Sequence, residues 1–238
     1  MNREIYGALI GLATLTVLLL PLPLFVAGVA LLSLLMAREL SLHLGLESLW
    51  FSALFGPALF YVHPSAGAVY IALMSLSYGY VRWNLDLFMR ALFVLFYTGF
   101  FPSYLINLKE EGTYLLLVFF LTIWANDVFA YYTGRRFGRH PLLPRLSPRK
   151  TVEGFVGGLL AGVLLFLLLS GMEPLRAILT ALLTLLTGVA GDYFKSFVKR
   201  QLGIKDFSTA LGQHGGFVDR FDAVIFSAPV FYWLISEL

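Results

Sequence analysis

An all-α, polytopic integral membrane protein is the fold class this sequence predicts, and three observations carry the prediction. Hydrophobic residues make up 59% of the 238-residue chain and charged residues only 13%, against about 25% charged in a soluble domain. The apolar residues gather into nine runs, and a membrane span needs about 20 mostly apolar residues. Lysine and arginine are sorted between alternate ends of those runs. The chain has no cysteine, which excludes disulfides and thiolate metal sites. Its formal net charge is +3, and no nucleic-acid partner is expected.

In chain order the predicted spans are 4–20, 23–37, 48–63, 66–81, 86–106, 112–133, 153–171, 174–200 and 218–237. The first lies behind Arg3 and has the look of a signal-peptide core, but apolar sequence resumes at Leu24, so a first transmembrane helix is the simpler reading. Turn and cap residues separate the runs: Pro21 and Pro23, His63-Pro64-Ser65, Glu111-Gly112, and Gly171 to Pro174. With the N-terminus in the cytoplasm, 15 of the 17 Lys and Arg residues fall inside, all but Lys109 and Arg176. Positive loops stay cytoplasmic. The expectation is therefore a multi-pass protein of the cell membrane with its C-terminus outside. Residues 1–110 form about five scaffold, dimerisation or lipid-facing helices. Residues 111–238 form the remaining helices, with cytoplasmic loops at 134–152 and 201–217, and hold the charged stretches from which a catalytic role is read below.

Three stretches break the apolar pattern. In "WANDVFAYYTGRRFGRH", Asn126 and Asp127 sit inside the sixth run. In "GVAGDYFKSFVKR", Asp192, Lys195, Ser196 and Lys199 recur at i, i+3, i+4 and i+7, which puts them on one helical face. In "GQHGGFVDRFD", Asp219 and Asp222 lie one turn apart where the ninth run begins. A carboxylate in the membrane is costly and faces a bundle interior or a wet cavity. Each aspartate alone reads as a salt bridge between helices. Asp127, Asp192, Asp219 and Asp222 together, all toward the cytoplasmic side, suggest hard oxygen ligands for a divalent cation such as Mg²⁺.

The basic loop supplies the complementary charge. "RRFGRHPLLPRLSPRKTVEG" is ordinary positive-inside sequence in part. Ser147, Arg149, Lys150 and Thr151 are more particular, since hydroxyls and cations at a helix N-terminus make a phosphate site. Glu153 reads as a first-turn capping charge. Gly215-Gly216 allows a sharp turn or close backbone approach to a ligand, and His214 beside them reads as a phosphate binder, an acid or base, or a turn cap. Metal-binding carboxylates and phosphate-binding cations in a membrane setting imply chemistry on a phosphorylated substrate, where the protein positions groups and neutralises charge on phosphorus oxygens. The residues alone give that reaction class without a named substrate.

From Ser196 to Asp222 the chain reads S-x-x-K-R-x₄-K-D-x-S-x₂-L-G-x-H-G-G-x-x-D-R-x-D, which closely resembles the signature of the phosphatidate cytidylyltransferase (CDP-diacylglycerol synthase) family. "NDVFAYYTGRRFG" and "SPRKTVEGFVGG" resemble two further family blocks, so the likeness covers roughly residues 120 to 230. It implies transfer of CMP from CTP to phosphatidic acid, assisted by Mg²⁺ and plausibly by a second, monovalent cation such as K⁺. It also implies a homodimer among membrane lipids. On the same resemblance Asp192 and Asp219 are the principal metal ligands, bridging spans eight and nine, with Asp127 and Asp222 in support. Ser147, Arg149, Lys150 and Thr151 bind phosphate. Ser196, Lys199, Arg200, Lys205, His214 and Arg220 surround the triphosphate and headgroup with Gly215 and Gly216, and Lys199 and His214 count among the catalytic residues. The chain departs from the family at Gly212-Gln213, where Pro-Gly is common, and it is short, with an N-terminal trim expected. The alternatives are a related CTP-dependent lipid enzyme (an ether-lipid phosphate cytidylyltransferase or lipid-alcohol kinase) and a cation transporter, the last predicting broken helices or inverted repeats.

Overall fold

A computed structural model describes residues 3–46, 48–212 and 215–237. Within them each of the nine predicted runs is helical. Among the described residues five helices are long and apolar enough to cross a membrane: Leu22–Leu44, Leu85–Glu111, Thr113–Phe137, Val152–Leu169 and Pro174–Gln201. The chain divides into two compact units, one of Met1–Thr113 with Ile204–Phe221 and one of Tyr114–Gly203 with Asp222–Leu238.

The first unit opens with α1 (Arg3–Leu19) and α2 (Leu22–Leu44). Pro23 suits the first turn of α2, where no N–H is needed. The helix stops at Gly45, whose φ of 68° lets its N–H close on the Ser41 carbonyl. The sequence reading ends this helix at residue 37, before the charged pair Arg38-Glu39. The structure carries it seven residues further, because Ala37, Leu40 and Ser41 stay buried and Glu39 finds partners inside the protein. The run at 48–63 is a 3₁₀ turn, Leu49–Leu54, leading into the short α3 (Phe55–Val62). His63 caps α4 (Pro64–Val81), and Asn84 caps α5 (Leu85–Leu95) by accepting from the Leu87 N–H. A π turn, Phe96–Phe100, joins α5 to α6 (Phe101–Glu111). Pro102 cannot donate the i→i−4 bond, and the ladder adjusts by the Phe101 N–H reaching back to Phe96. Phe60 is fully buried against the rings of Phe100 and Tyr104.

The second unit contains nearly all of α7 (Thr113–Phe137), then α8 (Val152–Leu169), α9 (Pro174–Gln201) and the greater part of α10 (Phe217–Glu237). On α8, Gly154, Gly158 and Gly162 form a buried stripe at i, i+4 and i+8, while Leu160, Leu164 and Leu168 are exposed. A Cβ at Gly158 would lie 2.7 Å from the Asn126 carbonyl oxygen of α7. Small residues at the helix contact and leucines outside are the pattern of helices packed in lipid. Phe231 of α10 stacks on Phe119 and meets Phe166 edge-on, which closes the core.

The loop predicted at 134–152 holds more structure than its sequence suggests. α7 continues to Phe137, and β1 (Pro141–Leu143) then pairs antiparallel with β2 (Ser147–Thr151). Pro141, Pro144 and Pro148 break up the residue pattern, so a hairpin this short has no alternation by which to recognise it. It delivers Lys150 and Thr151 to the start of α8.

Candidate active site

The close approach of two helices creates the charged cluster of the second unit. At Gly191 on α9, an added Cβ would fall 2.9 Å from the carbonyl oxygen of Asp222 on α10. The next residue, Asp192, and Asp222 itself therefore reach the same ammonium group. Lys195 Nζ lies 2.7 Å from Asp192 Oδ1 and 2.7 Å from Asp222 Oδ2. Lys195 is 9% exposed and Asp222 is 5% exposed, so this shared ion pair is largely removed from water. Lys150, brought in by β2, pairs with the other carboxylate oxygen of Asp192 and stands over the Tyr193 ring at 5.0 Å.

Asp127 lies within electrostatic reach of Asp222, Lys150 and Lys195, and its carboxylate accepts a 3.2 Å bond from Asn126 Nδ2. Two carboxylates, Asp192 and Asp222, thus share two ammonium groups, and Asp127, exposed at its own surface, lies nearby. Burial, followed by the neighbouring Lys195 ammonium, pushes the Lys150 amine below the ordinary lysine range. The Asp127 and Asp222 carboxylates oppose that shift.

The remaining candidates of this unit surround the cluster at two levels. Thr151 is the N-cap of α8, its hydroxyl accepting from the Gly154 N–H at 3.2 Å. Glu153 does more than charge the first turn. It accepts from the N–H groups of Arg139 and His140 at 3.0 and 3.3 Å and pairs with His140 Nδ1 at 2.6 Å, tying the approach to the hairpin onto α8. Ser147 is half-buried and Arg149 exposed; on α9, Ser196 and Lys199 are half-buried and Arg200 is exposed.

The first unit holds the other half of the motif. Asp219 is 7% exposed, and its Oδ2 accepts from the N–H groups of Phe207 and Gly216 at 3.0 and 3.1 Å. Gly215 has φ 78°, where a side chain would be strained. Gly216 is required for another reason: a Cβ there would collide with the carboxylate of Glu39. The sequence reads this glycine as allowing a sharp turn or close approach to a ligand, and in the structure the space a Cβ would take is occupied by the Glu39 carboxylate of α2. Lys205 and Arg220 are exposed. Gln213 and His214 lie outside the described residues.

Two residues to which the sequence assigns no role in the site belong in this description. Lys195 sits on the face already marked by Asp192 and Lys199, one turn from Asp192, and that i, i+3 spacing is the signal that identifies it. Glu39 shows in the sequence only as a lone acid at the end of an apolar run.

Among the described residues no group of three or more His, Asp or Glu side chains converges as a metal cluster. The donors that do converge, Asp192 and Asp222 on adjacent helices with Asp127 near them, are hard oxygens. Their chemistry fits a magnesium-sized divalent cation, with lysines now balancing their charge.

The model of the cytidylyltransferase family matches residues 1–238 of this chain. A phosphatidate cytidylyltransferase of Aquifex aeolicus is 50% identical to it over 236 residues, 99% of this chain and 91% of the relative. One from Staphylococcus saprophyticus is 37% identical over 171 residues, 68% of this chain and 66% of the relative. Another, from Staphylococcus epidermidis, is 35% identical over 179 residues, 72% and 69% of the two chains.

Proposed function

The chain belongs to the cytidylyltransferase family, and on that premise we propose that it transfers CMP from CTP to phosphatidic acid, giving CDP-diacylglycerol and pyrophosphate in phospholipid biosynthesis. The observation that carries this reading is the junction at Asp192. There a carboxylate of an apolar helix bundle meets two lysines and stands beside a second carboxylate. Such an arrangement suits a polyphosphate better than an apolar or neutral ligand.

In the reaction an oxygen of the lipid phosphate attacks the α-phosphorus of CTP. The bond from that phosphorus to the oxygen bridging to the β-phosphate breaks, and pyrophosphate leaves with the bond's electron pair. Mg²⁺ would be held by Asp192 and Asp222, with Asp127 in support from nearby, and when bound it would supply neutralisation of charge on the phosphate oxygens. Lys150 is mounted on a hairpin outside the spans and ends against Asp192. In the nucleotide complex its ammonium donates to a phosphate oxygen of CTP. Lys195 stays between the two carboxylates, keeping them from repelling one another apart. The roles of Asp219, Lys199, His214, Arg220 and a second cation such as K⁺ rest on the family resemblance. So does a homodimer. A cytoplasm-facing site is supported by the distribution of Lys and Arg.

Replacing Lys150 with Ala is expected to raise KM for CTP. Loss of one hydrogen bond to a charged group costs about 1.5–3 kcal/mol, so the increase is roughly 10- to 150-fold, with a smaller effect on KM for the lipid. An unchanged KM would return the hairpin to a purely topological role. The reaction itself is tested by incubating detergent-solubilised protein with CTP and phosphatidic acid and weighing the lipid product by mass spectrometry. A phosphatidate heavier by one CMP unit supports the proposal. Phosphorylation of added diacylglycerol, with no CMP adduct, would identify a CTP-dependent lipid kinase instead.

A further inference from the structure

Glu39 is a buried carboxylate that the chemistry above leaves without a role. It is 6% exposed and sits on α2, far in sequence from the signature. A buried charge is tolerated when it is well hydrogen-bonded, and Glu39 is met by three donors. Ser208 Oγ donates to Oε1 at 2.6 Å, the Phe217 N–H to Oε1 at 2.9 Å and the Val218 N–H to Oε2 at 2.9 Å.

Phe217 and Val218 are the first two residues of α10, and N–H groups at that end of a helix have no partner within it. The residue before the helix is Gly216, which has no side chain to cap with. Glu39 therefore caps α10 from a different helix, where its negative charge also complements the helix dipole. One turn further along α2, His43 Nε2 meets the Phe207 carbonyl at 2.7 Å. The N–H of the same Phe207 donates to Asp219. The 207–216 connection is thus fixed to α2 at Phe207 and Ser208. Asp219 closes it internally through Phe207 and Gly216.

We propose that Glu39 is a positioning residue for the reaction: by capping α10 and holding Ser208, it sets the presentation of Asp219 and of the Gly215-Gly216 backbone that leads into the helix. The proposal rests on Asp219 belonging to the active site as read above, and it accounts for the glycine at 216, whose missing Cβ leaves room for the Glu39 carboxylate.

Glu39→Ala and Glu39→Gln test it, each purified in detergent and measured in two ways. Hydrogen–deuterium exchange is followed in nucleotide-free protein over peptides covering 206–220, with the α8 peptide 152–169 as internal reference. Separately, kcat and KM for CTP are determined. Losing three bonds to a carboxylate is expected to speed exchange over 206–220 about tenfold or more and leave 152–169 unchanged. In the same Ala variant kcat should fall about tenfold or more while KM for CTP moves less than about threefold. Glu39→Gln, which keeps an acceptor oxygen, should lie between the Ala variant and wild type in both readings. If Glu39→Ala fails to fold, the Gln variant carries the same paired comparison.

Faster exchange with unchanged kcat would overturn the proposal, leaving Glu39 a purely structural cap. Lost turnover with wild-type exchange would also overturn it, since Glu39 would then act on the chemistry directly. A wild-type protein that forms no CMP adduct would instead remove the functional reading, and the exchange result would stand apart from it.

Discussion

Asp192→Asn is expected to lower kcat by about 10²- to 10³-fold, the scale on which removal of a single group that stabilises transition-state charge is felt. Asn keeps the shape of the side chain and removes its charge. Lys150 and Lys195 both address this carboxylate, so the substitution leaves two ammonium groups without their common partner and takes away a central candidate metal oxygen. The measurement is kcat with CTP and phosphatidic acid, alongside circular dichroism and a gel-filtration profile matching wild type. Near wild-type turnover in folded Asp192→Asn would remove Asp192 from the chemistry and return the cluster to helix-to-helix salt bridging.

Lys195→Met should cost both stability and activity. Lys195 Nζ is within 2.7 Å of two carboxylates in a nearly closed environment. Breaking a buried pair by removing one partner costs about 3–5 kcal/mol, because the surviving charges stay buried without compensation. The thermal midpoint in detergent with EDTA is expected to drop clearly below wild type. Adding Mg²⁺ is expected to restore more of it in the variant than in wild type, since a divalent cation offsets the same two carboxylates and whatever binds only the folded state stabilises it. Adding Asp222→Asn to Lys195→Met should recover stability in EDTA without recovering turnover. A Lys195→Met protein that melts with wild type would show that the ion pair contributes nothing to holding α9 against α10.

The parts of this molecule that could be read from its sequence are those with strong local patterns. Each apolar run is helical among the described residues, as apolar sequence that satisfies its own backbone hydrogen bonds internally is expected to be. Asp127, Asp192 and Asp222 stood out as charges in apolar sequence, and the structure gathers them around Lys150 and Lys195. The failures share a cause in long-range contact. α2 runs past Arg38-Glu39 because its acid is received by residues 208, 217 and 218, nearly 180 positions away, which no local window registers. The hairpin at 141–151 is set by proline-rich strands too short to alternate. Beside Gly216, the Glu39 carboxylate of α2 is a neighbour that no local sequence pattern announces. Lys195 was visible on its helical face, but a lysine amid apolar residues gives no hint that two carboxylates share it until α9 and α10 are seen to touch at Gly191.

The cluster around Asp192 is read here as a site for joining CTP to a phosphorylated lipid, and pyrophosphate release tests that reading most directly. Purified protein in mixed micelles is given CTP, phosphatidic acid and Mg²⁺, with each omitted in turn. Release that requires all three is the expected result. Release without the lipid, or from ATP as readily as from CTP, would contradict the assignment of substrates. No release under any combination, from protein shown to be folded, would contradict the enzymatic reading itself and leave the clustered aspartates to be explained as a path for cations.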